Sequence, residues 1–274
     1  MNDIRLIAMD MDGTLLDSRK QIPAENIKAL EEAHRQGIHL AICSGRMPGD
    51  VGLFALENGL ENCTLLASNG AYCTHGLEEE PFVNCCFEDG AAQRVVELLH
   101  RAGITFFCAA QNRRVLFEYE EGIRRDLSYQ HNGHPLAPVV FRNPEAYEMI
   151  RRDGMNKIAC SSLQPEKLEK VRRELEKIEG IVVTASGKNN LELMPEGCSK
   201  GTAVEALARK LRLTAEQVMV LGDYYNDESM FQYAGWPVAM GNGCEKIRRM
   251  ARLITLTNDE AGVAWAIRRY ALHS

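Results

Sequence analysis

The chain has 274 residues, a net charge of −6 and 45% hydrophobic residues, values that are ordinary for a globular protein and exclude disordered and fibrous classes. At this length one large domain or two are possible, and we favour two. The negative net charge argues against nucleic acid or an anionic membrane as the main partner. No apolar run is long enough to span a membrane and no secretory signal opens the chain, so we expect a cytoplasmic protein, its oligomeric state left open.

The first part of the chain alternates between strand and helix patterns. Strands are predicted over 4–10, 38–43 and 63–67, separated by helices over 23–36 and 47–57. This alternation predicts right-handed βαβ units and therefore a parallel sheet. The same alternation resumes at about residue 199, so both ends of the chain are predicted to belong to one domain.

The pattern between these ends is different. Adjacent strands predicted over 104–109 and 113–119 indicate a hairpin, and hence antiparallel pairing. We interpret residues 83–190 as an inserted α/β cap. Residues 1–82 and 191–274 are predicted to form a doubly wound, Rossmann-like α/β core with a parallel sheet.

The most informative stretch lies at the end of the first predicted strand. This strand is apolar throughout, as is typical of a strand buried in a parallel sheet, and it leads into Asp10 and Asp12. Residues two positions apart in an extended segment share a face, so both carboxylates should face one crevice. Carboxylates held together need a proton or a cation between them. The alternative interpretation is an ordinary Asp-Gly turn.

Polar residues also follow two other predicted strands. Ser44 and Gly45 follow the second strand, and Asp223 follows the strand over 217–222. Because such strand ends share one edge of a doubly wound sheet, we expect these residues to converge on a single crevice. The acidic residues gathered there suit Mg²⁺, which binds carboxylates together with a substrate phosphate.

Three further residues extend this set. Asn226 and Asp227 follow Asp223 closely, although capping of the next helix is an alternative role for them. Lys200 opens a predicted helix, where acidic residues are the usual choice, and this contrary placement favours a functional role.

Together these motifs resemble the haloacid dehalogenase (HAD) superfamily, specifically its Cof-type (HAD-IIB) phosphatases. The matching segments are Asp10-Met11-Asp12-Gly13-Thr14, Cys43-Ser44-Gly45-Arg46, Ser68-Asn69-Gly70-Ala71, Ser199-Lys200-Gly201 and Gly222-Asp223 with Asn226-Asp227. They occur in order at both ends of the chain. The size and position of the predicted insert also match the cap of that subfamily.

The resemblance implies a Mg²⁺-dependent phosphatase that hydrolyses a small phosphorylated metabolite, such as a sugar phosphate, through an aspartyl-phosphate. It implies Asp10 as the nucleophile and Asp12 as the general acid and base. Mg²⁺ would be bound by the side chains of Asp10 and Asp223 and by the backbone carbonyl of Asp12. Phosphoryl oxygens would be held by Ser44, Lys200, Asn226 and the N–H groups of Met11 and Gly45. Asp227 would orient Lys200 or a metal-bound water.

Two alternative functions stay open at this point. One is a phosphomutase, and the other is a non-catalytic regulator that binds a phosphorylated metabolite. The loop after Asn189-Asn190-Leu191-Glu192 and the turn from His131 to His134 are candidates for contact with the substrate. Tyr224 and Tyr225 occupy positions that small residues commonly hold in the family, and their bulk would either narrow the entrance or pack under the cap.

Overall fold

The computed structural model describes residues 3–76, 79–111, 113–117, 119–120, 130–131, 134–135, 139–141 and 144–272. Two large β-sheets dominate these ranges. The helices are α1 (Ala24–Arg35), α2 (Pro48–Glu57), α3 (Asp89–Ala102), α4 (Pro144–Arg152), α5 (Pro165–Leu175), α6 (Lys200–Lys210), α7 (Glu228–Tyr233), α8 (Glu245–Met250) and α9 (Gly262–Ala266). Within the described ranges, no helix combines the length and the apolar character that crossing a membrane requires.

The first sheet has eight strands and is mainly parallel. In spatial order its strands are β16 (Leu253–Ile254), β15 (Trp236–Ala239), β14 (Val218–Gly222), β1 (Leu6–Met9), β2 (His39–Cys43), β3 (Thr64–Ala67), β4 (Tyr72–Thr74) and β5 (Val83–Asn84). Pairing is parallel from β16 to β3, and only β4 and β5 at one edge are antiparallel. The two antiparallel edge strands were not predicted.

Both faces of this sheet are covered by helices. Ile7 and Met9 of β1 belong to one apolar core with residues of α1, α2 and α9. Leu6 and Ala8, which point to the opposite face, belong to a second core with residues of α6 and α7. A strand buried on both faces must be apolar at every position, which explains the uninterrupted apolar run of β1. The predicted doubly wound α/β fold is therefore confirmed.

The second sheet has six strands and is mainly antiparallel. In spatial order these are β10 (Val139–Phe141), β7 (Arg113–Phe117), β6 (Thr105–Ala110), β11 (Lys157–Ser161), β13 (Asn190–Pro195) and β12 (Ile181–Thr184). The predicted hairpin is confirmed as the antiparallel pair of β6 and β7. A separate pair, β8 (Gln130–His131) and β9 (His134–Pro135), completes the strands of the described ranges.

Two strands belong to a different sheet from the one that the predicted cap boundaries assign them to. β13 pairs with β11 in the second sheet, although the core was predicted to resume at residue 191. β5 pairs with β4 in the first sheet, although the cap was predicted to begin at 83. β13 was missed because its central residue, Glu192, is charged yet buried. The division into core and cap stays a prediction, and we propose that the cap spans about residues 85–195.

Candidate active site

Neighbouring parallel strands bring the predicted acidic residues to one edge of the first sheet. β1 and β14 pair in register, with Met9 opposite Leu221. The backbone N–H of Asp10 continues this ladder by donating to the carbonyl of Leu221 at 3.0 Å. Asp10 and Asp223 therefore lie side by side just beyond the strand ends, where ligands bind in open α/β sheets.

Lys200 lies between two carboxylates. Its Nζ donates to Asp10 Oδ1 and to Asp227 Oδ1, both at 2.6 Å, and the side chain is fully buried. Burial alone would lower the pKa of Lys200, but the two carboxylates raise it well above the usual value. Lys200 is the first residue of α6, whose start is fixed by the Ser199 side chain accepting from the Thr202 N–H. The helix start therefore holds a permanent positive charge against the acidic cluster.

Asp227 has partners for both carboxylate oxygens. Its Oδ1 accepts from Lys200, and its Oδ2 accepts from the N–H groups of Asp223 and Tyr224 at 2.8 and 3.0 Å. A Cβ atom at Gly222 would lie 2.5 Å from that Oδ2, so the close approach requires glycine there. These contacts favour an orienting role for Asp227 over direct binding of a metal.

The carboxylates of Asp10, Asp223 and Asp227 lie close enough together for a metal ion, although both oxygens of Asp227 already have protein partners. Their nearest oxygen atoms all lie within 4.8 Å of one another. Burial, reinforced by the charge of Asp227, raises the pKa of Asp223 to about 7. Burial likewise raises the pKa of Asp10 well above its usual value, although Lys200 opposes the shift. An all-oxygen group of mutually repelling carboxylates suits a hard divalent cation such as Mg²⁺.

Gly13 and Thr14 shape the turn beside this group. Gly13 has a φ of +85°, and a Cβ atom there would lie 2.5 Å from Asp223 Oδ2. The Thr14 hydroxyl donates to Asp223 Oδ1 at 3.0 Å. The turn after β1 thus sets the position of a carboxylate more than 200 residues away in sequence.

Asp12 has two cationic partners that were not predicted. Arg46 donates to both of its carboxylate oxygens at 2.8 and 2.9 Å, and Lys20 donates to Oδ1 at 2.7 Å. Burial would raise the pKa of Asp12, but the two cations outweigh burial and lower the pKa to about 2. The structure therefore holds Asp12 as an ionised carboxylate, the form that a general base needs.

The predicted phosphate-binding residues divide between a cleft and the adjoining core. Ser44, Gly45 and Asn226 line the same cleft as Asp10 and Asp12. The Ser44 N–H donates to the carbonyl of Leu66 at 2.9 Å, which fixes the loop after β2. The side chain of Met11 is buried in the apolar core.

The cleft lies between the two sheets and has a volume of about 1010 Å³. The second sheet contributes Phe107, Arg114, Lys157 and Ser161 to its wall. Asn189, Asn190 and Glu192 border the cleft, whereas the residues after Glu192, predicted as a loop that contacts the substrate, continue strand β13. The turn from His131 to His134 lies partly outside the described residues. Tyr224 also borders the cleft, with the Tyr225 ring packed edge-on against the Tyr224 ring.

A buried network that was not predicted links the second sheet to the phosphate-binding loop. Lys157 donates to the carbonyl of Gly45 and, at 2.9 Å, to Glu192. Glu192 accepts from the side-chain amide of Asn69 at 2.7 Å, and Asn69 accepts in turn from Asn226 at 3.3 Å. Burial would raise the pKa of Glu192, but Lys157 and Asn69 lower it, so this carboxylate stays ionised.

Comparison with known proteins agrees with this arrangement. Residues 7–267 match the family model of haloacid dehalogenase-like hydrolases. The chain belongs to this family. Phosphatase YwpJ of Bacillus subtilis is 32% identical, the match covering 95% of this chain and 98% of that protein. The 5-amino-6-(5-phospho-D-ribitylamino)uracil phosphatase YcsE of the same organism is 31% identical, with coverages of 98% and 97%.

A solved haloacid dehalogenase-like hydrolase from B. subtilis has the same overall fold. It superimposes with a TM-score of 0.86 at 28% identity and covers 98% of this chain and 100% of its own. The predicted enzyme, a Cof-type HAD hydrolase, is therefore confirmed, and the names of its relatives agree with the predicted class of phosphoric monoester hydrolases.

The protonation of the acidic group predicts how metal stabilises the protein. Because the pKa of Asp223 is raised to about 7, its protonated form stabilises the fold below the unfolded-state pKa of about 3.9. That contribution is lost as the pH rises through 7. Saturating Mg²⁺ should raise the melting temperature by roughly several degrees at pH 8, where the carboxylates are ionised. At pH 5, where protons compete with the metal, the rise should be much smaller. Calorimetry with and without Mg²⁺ measures this difference, and an equal rise at both pH values would contradict it.

Two alanine variants, at Gly13 and at Gly37, separate the effect of backbone strain from the effect of crowding at the proposed metal site. Gly13 and Gly37 both have positive φ, but a Cβ atom at Gly37 would meet nothing within 4 Å. Gly37→Ala should cost about 1 kcal/mol of stability and leave Mg²⁺ binding unchanged. Gly13→Ala should also displace Asp223 and weaken Mg²⁺ binding by about 10- to 100-fold. Titration calorimetry of both folded variants checks the contrast, which equal Mg²⁺ affinities would refute.

Proposed function

We propose that this protein is a Mg²⁺-dependent phosphatase that hydrolyses a small phosphorylated metabolite through an aspartyl-phosphate on Asp10. One observation carries the proposal: Asp10 borders a large cleft while Lys200 holds its carboxylate at 2.6 Å and Asp223 lies beside it. Phosphoryl transfer depends mainly on positioning and on neutralising charge, and this cluster provides both. The phosphatase names of the relatives support the same class of reaction.

The residues around Asp10 suit a phosphoryl group. The Ser44 hydroxyl, the Asn226 amide and the N–H groups of Met11 and Gly45 would donate to its oxygens, and Lys200 would add a positive charge. Mg²⁺, when bound by Asp10, Asp223 and the Asp12 carbonyl, would supply two further positive charges to the phosphoryl group.

The reaction would proceed in two displacements. The Asp10 carboxylate attacks phosphorus, the bond from phosphorus to the ester oxygen breaks, and the leaving alcohol takes a proton from Asp12. Water then attacks the phosphorus of the aspartyl-phosphate and gives a proton to Asp12. Inorganic phosphate leaves, the Asp10 carboxylate is free again, and Asp12 has regained the proton that it gave to the leaving alcohol.

The ion pairs of Asp12 constrain the first displacement. Asp12 must be protonated to assist an alcohol, yet Arg46 and Lys20 hold it ionised. Both cations also line the cleft. An arriving phosphate dianion would compete for these two cations and so raise the pKa of Asp12. Substrate binding would thereby prepare the acid that the first step requires.

The class of substrate follows from the cleft and the relatives. A cavity of about 1010 Å³ is far larger than a phosphate group, so the leaving group should be a substantial metabolite. YcsE, by its name, acts on a phosphorylated ribityl compound, which supports a sugar or polyol phosphate here.

Replacement of the nucleophile tests the proposal. Asp10→Asn keeps the shape of the side chain but should lower hydrolysis of p-nitrophenyl phosphate with Mg²⁺ by at least about 10³-fold. Asp12→Asn should accumulate a phosphoenzyme, seen by mass spectrometry as one added phosphoryl group. Asp89→Asn, in the exposed first turn of α3, is the matched control and should behave as wild type.

Several outcomes would contradict this proposal. Near-normal turnover by Asp10→Asn would remove Asp10 as the nucleophile. A wild-type protein that binds phosphate esters without turnover would be a regulator. A strict requirement for a sugar bisphosphate activator, without release of free phosphate, would indicate a phosphomutase.

The Lys20 ion pair predicts a change in pH dependence. Lys20→Met removes a cation that lowers the pKa of Asp12, so that pKa should rise. For an alkyl phosphate, which needs a protonated acid, the alkaline fall of kcat should move to higher pH. p-Nitrophenyl phosphate has a good leaving group and should show little shift. Lys28→Met, at an exposed position in α1, is the control; a shift to lower pH in Lys20→Met would refute the assignment.

A further inference from the structure

Arg114 and Asp50 form a buried pair of opposite charges on the wall of the cleft. Arg114 lies in β7 of the second sheet and is 5% exposed, and Asp50 lies in the first turn of α2 and is 3% exposed. Neither residue belongs to the motifs around Asp10. The pair contributes side chains to the cleft from both sheet layers.

Both side chains have a polar atom without a partner. Arg114 Nε and Asp50 Oδ1 are buried and make no hydrogen bond within the described residues. The Asp50 carboxylate does accept a hydrogen bond from the backbone N–H of Met47. This contact explains an aspartate at the start of α2 but leaves one carboxylate oxygen without a hydrogen bond. Buried polar atoms in native proteins are nearly always paired. Both residues border the cleft, so a small shift of either side chain would offer its unpaired atom to a ligand there.

A purely structural ion pair explains these residues less well. Such a pair would close to hydrogen-bond distance, whereas no ion pair joins Arg114 to Asp50 among the described residues. Burial lowers the pKa of Arg114 and raises the pKa of Asp50. These directions indicate that the two charged groups have lost contact with water without gaining enough hydrogen bonds in exchange. The pair is arranged to receive a group from the cleft.

The surroundings indicate what that group is. Met47, Phe107 and Ala159 form an apolar cluster that also borders the cleft, and they offer a surface for a carbon chain. The two charges cancel, so the pair favours a neutral group over a second phosphate. That group must accept from Arg114 and donate to Asp50, as the hydroxyls of a polyol do.

We propose that Arg114 and Asp50 bind the leaving group of the substrate and select a neutral, hydroxylated chain. This inference rests on the proposed phosphatase function. It assigns the phosphoryl end of the substrate to the Asp10 cluster and the hydroxyl groups of the leaving group to the Arg114 and Asp50 pair.

The test compares two substrates of equal chain length, ribitol 5-phosphate and n-pentyl phosphate. The readout is the ratio of their kcat/KM values, which should favour the polyol in the wild type. Arg114→Met and Asp50→Asn should each lower this ratio on the order of ten- to a hundredfold, mainly through KM for the polyol. Arg113→Met removes the neighbouring, exposed arginine of the same strand and should leave the ratio unchanged.

Further measurements separate recognition from structure. A structural role would lower the melting temperature and reduce activity on both substrates together, leaving the ratio unchanged. Arg114→Lys keeps a donor and should recover part of the ratio. Should Arg114→Met fail to fold, the nearly isosteric Asp50→Asn decides the question.

The results that overturn this inference differ from those that overturn the proposed function. A wild-type ratio near one, or folded Arg114→Met and Asp50→Asn variants with the wild-type ratio, would remove the leaving-group site while leaving the phosphatase intact. A wild-type protein that hydrolyses neither these esters nor p-nitrophenyl phosphate with Mg²⁺ would defeat the phosphatase proposal itself.

Discussion

The burial of one lysine among three carboxylates is the constraint on which the site depends. Lys200 is bonded to Asp10 and Asp227 at 2.6 Å, away from water, and Asp223 adjoins the same group. One cation cannot neutralise three neighbouring acids, and burial together with the mutual repulsion of these acids raises the pKa of Asp10 and of Asp223. A divalent cation bound there, as we propose, would restore the balance. Glycines at 13 and 222 permit this crowding because a side chain at either position would collide with a carboxylate.

Other charged groups lie around the cleft beside this acidic cluster. Fixed acids lie at the sheet edge, and the Asp12 carboxylate beyond them is held by Arg46 and Lys20. Farther from the sheet, Lys157 and Glu192 tie the second sheet to the loop that carries Gly45. Movement of the second sheet would therefore be felt at the loop proposed to bind phosphate. Such coupling would connect the proposed recognition of the leaving group to the geometry of the reacting end.

The sequence was informative wherever local pattern and topology act together. The apolar run before Asp10 predicted a central parallel strand, and the rule that ligands bind at strand ends predicted that Asp10, Ser44 and Asp223 would converge. Lys200 stood out because it opens a helix where a cation is unfavourable, and the structure shows the acids that compensate it. The resemblance to the HAD superfamily rested on these same residues, and the family match agrees.

The features that were missed depend on partners distant in sequence. No local signal reveals that Arg46 reaches Asp12, or that Glu192 pairs with Lys157. β13 escaped prediction because a buried charge at Glu192 breaks the pattern expected of a core strand. Arg114 and Asp50 come from elements whose proximity only the packed fold determines. Long-range electrostatic partners are the part of this site that periodicity cannot supply.

The stereochemistry of hydrolysis tests the central claim most directly. A phosphate ester made chiral at phosphorus with oxygen isotopes would be hydrolysed by the protein in isotopically labelled water with Mg²⁺. Two in-line displacements, the first by Asp10 and the second by water, should give inorganic phosphate with retained configuration. Inverted configuration would mean that water attacks the substrate directly, and would contradict a covalent role for Asp10.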